Sequence, residues 1–208
     1  MGRVRIISRM RDSLSTDTRL ALDLALTVRH DGHGGVADDL TDPAALTAWV
    51  RARPAAVPSA ADFTADAVTL GAVRDLRVAV RALFARAVHP AAPSSADAGR
   101  LPPAAEALAR LNSAAARTPS VPVLTWGDGA EPRARRQPVG GEEELVAVLA
   151  QAVIAFLAGP DRPRLRACHA PRCVRYFLKE HPRQEWCEPS CGNRARVARH
   201  HERHRGHG

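Results

Sequence analysis

Cysteine is missing from the first 167 residues of this 208-residue chain. No disulfide braces the larger part of the molecule, so burial has to hold it together. Aromatic residues make up 4% of the sequence, which excludes a core built on large rings. Much of the 45% hydrophobic content is Ala, the best helix former but a poor filler of volume. The expectation is a mainly α fold with a thin core of Leu and Val. No apolar run approaches the roughly twenty residues that span a bilayer, and residues 1–12, though basic, lack the apolar core of a secretory signal. Both absences lead us to expect a cytoplasmic protein. There is no convincing nucleophile–base set, so an enzyme is not expected. The Gly-rich Asp31-Gly32-His33-Gly34-Gly35 lacks the Gly-Lys-Ser/Thr and Gly-x-Gly-x-x-Gly patterns that hold phosphate, and reads as a plain loop.

Positive charge and cysteine are both present, and both sit at one end. Residues 160–208 hold twelve Lys/Arg against five Asp/Glu, whereas the rest of the chain holds eighteen against seventeen. The net charge of +8 therefore belongs almost wholly to the last quarter. A charge merely aiding solubility has no reason to be so concentrated; a polyanionic partner supplies one.

Residues 1–14 read as a flexible basic tail. From Leu20 to Val28 two templates compete: strict alternation fits a strand, Leu and Ala content fits a helix, and we expect the helix. Asp42 followed by Pro43 is an N-cap with a first-turn proline and opens a short helix through Trp49 to about Arg53. Leu70, Val73, Leu76, Val80, Leu83, Phe84 and Val88 recur at helical spacing. That long helix is expected to carry Arg74, Arg77 and Arg81 on a solvated flank. A Pro/Ala/Ser-rich loop covers 89–102, and the next helix, over 103–117, is expected to turn Leu108 and Leu111 inward. Val121–Trp126 and Arg133–Val139 flank Gly127-Asp128-Gly129 and read as a β-hairpin. Its second strand, with Arg133, Arg135 and Arg136, suits an exposed edge. Glu142–Glu144 favour the start of a helix whose buried face is Leu145, Leu149, Ala152 and Phe156, and Gly159-Pro160 stops it. A domain boundary is expected there, giving a helical domain over 15–159 and a second unit over 160–208.

The four cysteines lie in that second unit as Cys168/Cys173 and Cys187/Cys191, with thirteen residues between the pairs. A tetrahedral zinc ion needs four ligands, and two short Cys loops supply four thiolates. Two disulfides are the alternative; a redox pair is disfavoured because neither spacing is Cys-x-x-Cys. Four cysteines close the zinc shell, so the site is structural and not catalytic. His169 is a weaker ligand candidate than its neighbours. Cys191 opens a basic helix on which Ala195 and Ala198 face the metal. Arg196, Arg199 and Arg203 form the opposite stripe, with Arg194 and Arg205 beside it. Like charges at i,i+3 and i,i+4 repel; phosphate contact relieves them, and Arg also reads guanine edges. His200, His201, His204 and His207 in the tail read as surface residues that strengthen phosphate binding when protonated.

The pattern Cys168, Cys173, Phe177, Arg183, Trp186, Cys187, Cys191, Gly192, Asn193, Arg194 resembles the CGNR zinc-finger family. It departs in having Gln184-Glu185 between Arg183 and Trp186, and Leu178-Lys179 where an acidic residue is expected after the Phe. Leu22–Thr27 and Asp39–Trp49 resemble the ABATE domain that usually accompanies such fingers, with Leu26 where relatives have Asn. The resemblance implies a bacterial transcription regulator whose treble-clef-like finger binds one structural zinc and contacts DNA. Gly192, Asn193, Trp186 and Phe177 are then structural residues around the metal. The helical domain would sense a small-molecule effector or form a homodimer. A zinc-stabilised protein–protein or RNA-binding adaptor is the alternative.

Overall fold

The computed structural model describes residues 14–31, 33, 35–97, 101–139 and 144–205. The basic segment 1–13, Glu142, Glu143 and His207 lie outside the described residues, as do the side chains of Arg135, His204 and Arg205. Helix α1 (Thr16–Leu26) settles the competing templates in favour of helix. Strands β1 (Val28–His30) and β2 (Val36–Asp38) follow, then α2 (Pro43–Arg51), α3 (Ala67–Val88) and α4 (Ala104–Ala115). Hairpin strands β3 (Ser120–Thr125) and β4 (Arg133–Pro138) lead to α5 (Leu145–Ala158). A 3₁₀ turn (Arg162–Arg164) precedes β5 (Leu165–Ala167), β6 (Tyr176–Leu178) and α6 (Pro189–Arg205). Among the described residues three antiparallel two-stranded sheets accompany the helices, so the fold is mainly α with small hairpins.

Local chemistry accounts for most element ends. Asp42 caps α2 by accepting from the Ala45 N–H at 2.8 Å, and Asp66 caps α3 by accepting from Thr69 N–H at 2.7 Å. The Ala45 N–H holds the Asp42 carboxyl, and the Thr69 hydroxyl followed by its N–H holds that of Asp66, below the ordinary value. The Gly-rich segment expected as a plain loop is the turn of the β1–β2 hairpin. Asp31 Oδ1 accepts from the N–H of His33 at 2.7 Å and of Gly35 at 2.9 Å. A Cβ on Gly35 would lie 2.4 Å from Asp31 Oδ2, so a larger residue there would push the Asp31 carboxylate aside.

Helix α3 is the hub. Leu70, Val73, Leu76, Ala79, Val80, Ala82, Leu83, Phe84 and Val88 are all buried, around most of its circumference. The expected solvated arginine flank is therefore wrong: Arg77 and Arg81 are 6% and 3% exposed. The helix leaves Val68, Asp75 and Val78 to solvent, but Arg77 and Arg81 fall on its covered sides, where long cations must find partners indoors. Arg77 donates through Nη1 and Nη2 to the two carboxylate oxygens of Asp38 at 2.6 Å, and through Nη1 to Thr27 Oγ1 at 2.9 Å. Burial pushes the Asp38 carboxyl up, but these bonds and the Leu40 N–H outweigh it and hold Asp38 below its ordinary value. Arg74, half-buried, donates to the carbonyl of Leu40 at 2.6 Å.

Helix α4 buries Ala107, Leu111 and Ala114. Leu108, expected inward, is 48% exposed: one residue from Ala107, it lies about 100° round the helix from that face. The β3–β4 hairpin stands off the core and exposes Val121, Leu124 and Trp126. Of its second strand, Arg136 reaches back to Asp17 at 2.5 Å.

The main core does not end where α5 stops at Gly159. Leu165, Ala167, Tyr176 and Leu178, from β5 and β6, belong to the same buried cluster as the helices. Phe84 of α3 meets Phe156 of α5 edge-on at 5.4 Å and Tyr176 of β6 at 5.5 Å between ring centroids. The cysteine-bearing hairpin thus lays one face on the helical domain and turns the other to its own small cluster.

Candidate metal centre and basic helix

That second cluster is built from Cys168, Ala170, Cys173, Phe177 and Cys191, with Trp186 and Cys187 packed against it. Cys168 follows β5 directly and Cys173 lies three residues before β6, so the first pair sits in the hairpin's turn. The Cys168 N–H donates to Arg175 O at 2.9 Å and the Cys173 N–H to Ala170 O at 2.9 Å, which curls the turn around the two sulfurs. The second pair comes from the start of α6, where Cys187 precedes the helix and Cys191 lies in its first turn. Thiolates at a helix N-terminus sit at the positive end of its dipole.

The four Sγ atoms all lie within 4.8 Å of one another. Cys173 and Cys187 sulfurs are 3.7 Å apart, and those of Cys187 and Cys191 3.4 Å. A tetrahedron with Zn–S bonds of about 2.3 Å has edges of ~3.8 Å, so the sulfur cage fits zinc; the cysteines are free rather than bridged. Electrostatics gives the same answer. Hydrogen bonds from the Cys173 and then the Cys187 thiol hold Cys168 down to about 2, while bonding to Cys168 pushes Cys173 up to about 11. Cys187 is pushed up as well, by its bonds to Cys168 and Cys173. Crowded sulfurs resist ionising together, and a divalent cation among them removes that resistance. Cys168, Cys173, Cys187 and Cys191 would hold one structural zinc, whose bound charge keeps all four as thiolates.

The residues around the cage have separate tasks. Phe177 and Trp186 shield it from water. A Cβ at Gly192 would lie 3.0 Å from Trp186 Cδ1, so glycine lets the indole lie flat on the helix start. Arg194 donates from Nη2 to Cys191 Sγ at 2.9 Å, placing a cation against the anionic sulfurs. Asn193 is exposed and accepts from Arg196 Nη2 at 2.5 Å. Ala195 is buried and Ala198 half-buried. Arg196, Arg199 and Arg203 are exposed and, with His200, line one open groove along α6.

The sequence reasoning missed what fastens this module to the helical domain. Arg81 of α3 donates from Nε to Asp97 Oδ1 at 2.7 Å, from Nη1 to Ala25 O at 2.7 Å and from Nη2 to Val174 O at 3.1 Å. Val174 lies between Cys173 and β6. The Tyr176 hydroxyl donates to Asp97 Oδ2 at 2.6 Å, and Ser94 Oγ to Val174 O at 2.9 Å. Burial, then the hydrogen bond to Asp97, pushes the Tyr176 phenol above its ordinary value. Arg77 and Arg81 are spaced four apart beside Leu76 and Val80, and Tyr176 is the chain's only tyrosine; that spacing was the available signal.

Comparison with known proteins agrees with this architecture. No curated protein matches the chain. The profile of the ABATE family, described as "Putative stress-induced transcription regulator", matches residues 18–160, and that of the CGNR zinc finger matches residues 164–204. With one profile spanning the helical domain and the next spanning the sulfur cage and its helix, the chain belongs to the ABATE family and carries a CGNR zinc finger at its C-terminal side.

Proposed function

We propose that this zinc-binding protein is a DNA-binding transcription regulator, with the finger holding α6 so that its arginine face meets the duplex. One observation carries the reading. Arg196 and Arg199 are exposed, and their hydrogen bonds run to their own helix: Arg196 to Gly192 O and Asn193 Oδ1, Arg199 to Ala195 O. Among the described residues neither meets a carboxylate, whereas Arg29, Arg53, Arg77, Arg81, Arg117 and Arg164 all do. A stripe of cations that meets no acid among the described residues suits phosphate, which supplies counter-charge and releases condensed counterions. Zinc in this reading shapes the module and takes no part in chemistry, since four sulfurs leave no open position; the protein is not an enzyme.

The helical domain would sense a signal or dimerise. Dimerisation has an observation behind it, the exposed Leu124 and Trp126 at 66% and 70% on the β3–β4 hairpin. No described helix is long and apolar enough to cross a membrane. Fluorescence anisotropy on duplex DNA tests the central claim. The Arg196→Ala/Arg199→Ala variant should bind more weakly and lose about 0.9 from the log–log salt slope per phosphate contact removed. Parental affinity in that variant would sink the reading, and preferential binding of structured RNA would replace it with the adaptor.

A further inference from the structure

The turn carrying Cys168 and Cys173 faces the β1–β2 hairpin across a cavity of about 360 Å³, within the range of roughly 300–1,000 Å³ that accommodates small ligands. Arg29 and His30 of β1 line it, with Arg172 and Arg175 of the cysteine turn and Arg194 of α6; among the described residues Glu188 is the one carboxylate in the lining. Three separate elements therefore aim cationic groups at one concave space.

A second observation singles out Arg172. Its φ is +63°, the left-handed region that disfavours side chains with a Cβ and suits glycine. The sulfur turn would close more easily around glycine, yet an arginine stands there with its side chain exposed. Backbone outliers of this kind gather where a side chain is held for a ligand. The other guanidiniums have light commitments. Arg29 uses its Nε with Asp39, Arg175 its Nη1 with Glu188, and Arg194 its Nη2 with Cys191 Sγ. Each fork has five N–H donors, so donors remain beyond these contacts. Asp39 and Glu188 are 43% and 44% exposed, and such open ion pairs yield readily to a stronger anion. Cys173 and Cys191 line the cavity as well, and the Arg194 guanidinium, donating to Cys191 Sγ, sets a cation against those sulfurs.

We propose that this cavity binds a phosphate-type oxyanion, carried by a small phosphorylated ligand or by a nucleic-acid backbone, with Arg172 as its main contact and Arg29 and Arg175 as flanking clamps. A bound phosphate would tie β1 of the helical domain to the turn that holds the zinc. The inference stands apart from the role of α6 in DNA binding, because a small ligand would occupy the cavity whether or not α6 meets a duplex.

Calorimetric titration of the zinc-loaded chain with pyrophosphate, at constant ionic strength set by chloride, is the test. Arg172→Gly is the informative variant: it removes the guanidinium and supplies the residue that a positive φ favours, so it keeps the fold and a melting temperature at or above the parent's. Saturable binding that weakens about tenfold or more in Arg172→Gly and in Arg29→Ala, but is unchanged in Arg196→Ala/Arg199→Ala, supports a small-ligand site. No pyrophosphate binding, together with weaker duplex binding and a lower salt slope in Arg172→Gly, supports a nucleic-acid phosphate in the same cavity. Pyrophosphate and duplex affinities that both stay at the parental level in Arg172→Gly overturn the proposal. So does pyrophosphate binding that is lost in the α6 variant and kept in Arg172→Gly.

Discussion

Arginines stand at helical spacing on both α3 and α6, and the two helices treat them in opposite ways. On α3, Arg81 and its partner Asp97 are each 4% exposed at the side chain, and the guanidinium also reaches carbonyls of α1 and of the cysteine turn. On α6, Arg196 and Arg199 lie open to water and, among the described residues, bond only within their helix. Arg77 and Arg81 fall on the covered sides of α3, so these cations can stay only where acids and carbonyls have been brought to them. Helix α6 joins the small sulfur cage through Cys191, buries Ala195 and exposes Arg196, Val197, Arg199 and Arg203. The same residue type serves cohesion in one place and stands open to water in the other.

The strongest way to break this contrast is to remove the metal. Cys191→Ser, or chelation of the parent, should abolish zinc retention measured by atomic emission and melt α6. Structural zinc sites of this kind are worth about 10–16 kcal/mol of apparent binding energy. Because Tyr176 and Leu178 belong to the main core, the thermal transition of the helical domain should drop too; an unchanged transition would show the two parts to be independent.

Next comes Arg81→Ala. It leaves Asp97 buried without its cation, which costs about 3–5 kcal/mol, read as a lower urea midpoint. Arg199→Ala sharpens the comparison, since an exposed substitution of this kind should stay within about 0.5 kcal/mol of the parent. Equal losses in the two variants would mean that α6 is packed far more tightly than its exposure implies.

A smaller effect depends on pH. Asp38 is held below its ordinary value of 3.8, so the stability it contributes is fully present above about pH 4 and disappears as pH falls through the lowered value. Asp38→Asn should lower the melting temperature at neutral pH and flatten its decline in acid. Parallel melting curves for parent and variant between pH 2 and pH 5, a window of roughly this span, would contradict the Arg77–Asp38 pairing. The smallest effect belongs to Leu108→Gln: on the exposed face of α4 it should change stability by no more than about 0.5 kcal/mol, whereas an inward Leu108 would cost several times that.

Residues that act locally were readable in advance. Asp42 with Pro43 marks a helix start because the cap bond spans three residues, and Gly159 with Pro160 stops α5 by backbone chemistry alone. Cys168, Cys173, Cys187 and Cys191 declared themselves by spacing, since close ligand pairs need little help from the rest of the fold to find a common ion. Arg77, Arg81 and Leu108 were misjudged for a common reason. A helical repeat tells which residues share a side, but how many sides are covered depends on the neighbours. Asp38 and Asp97 come from a hairpin and a loop whose positions no periodicity reports.

By itself the sequence determined a helical body without disulfides, a four-cysteine metal module and a charge gathered at one end, because composition, caps and ligand spacing act over a few residues. Only the tertiary structure decided that the cysteine hairpin shares the helical core, that Tyr176 and Val174 are fastened to Arg81 and Asp97, and that Arg29 meets Arg172 across a cavity. Those pairings join groups roughly 80 to 140 positions apart, and burial, which gives each its worth, exists only once the chain has closed around them.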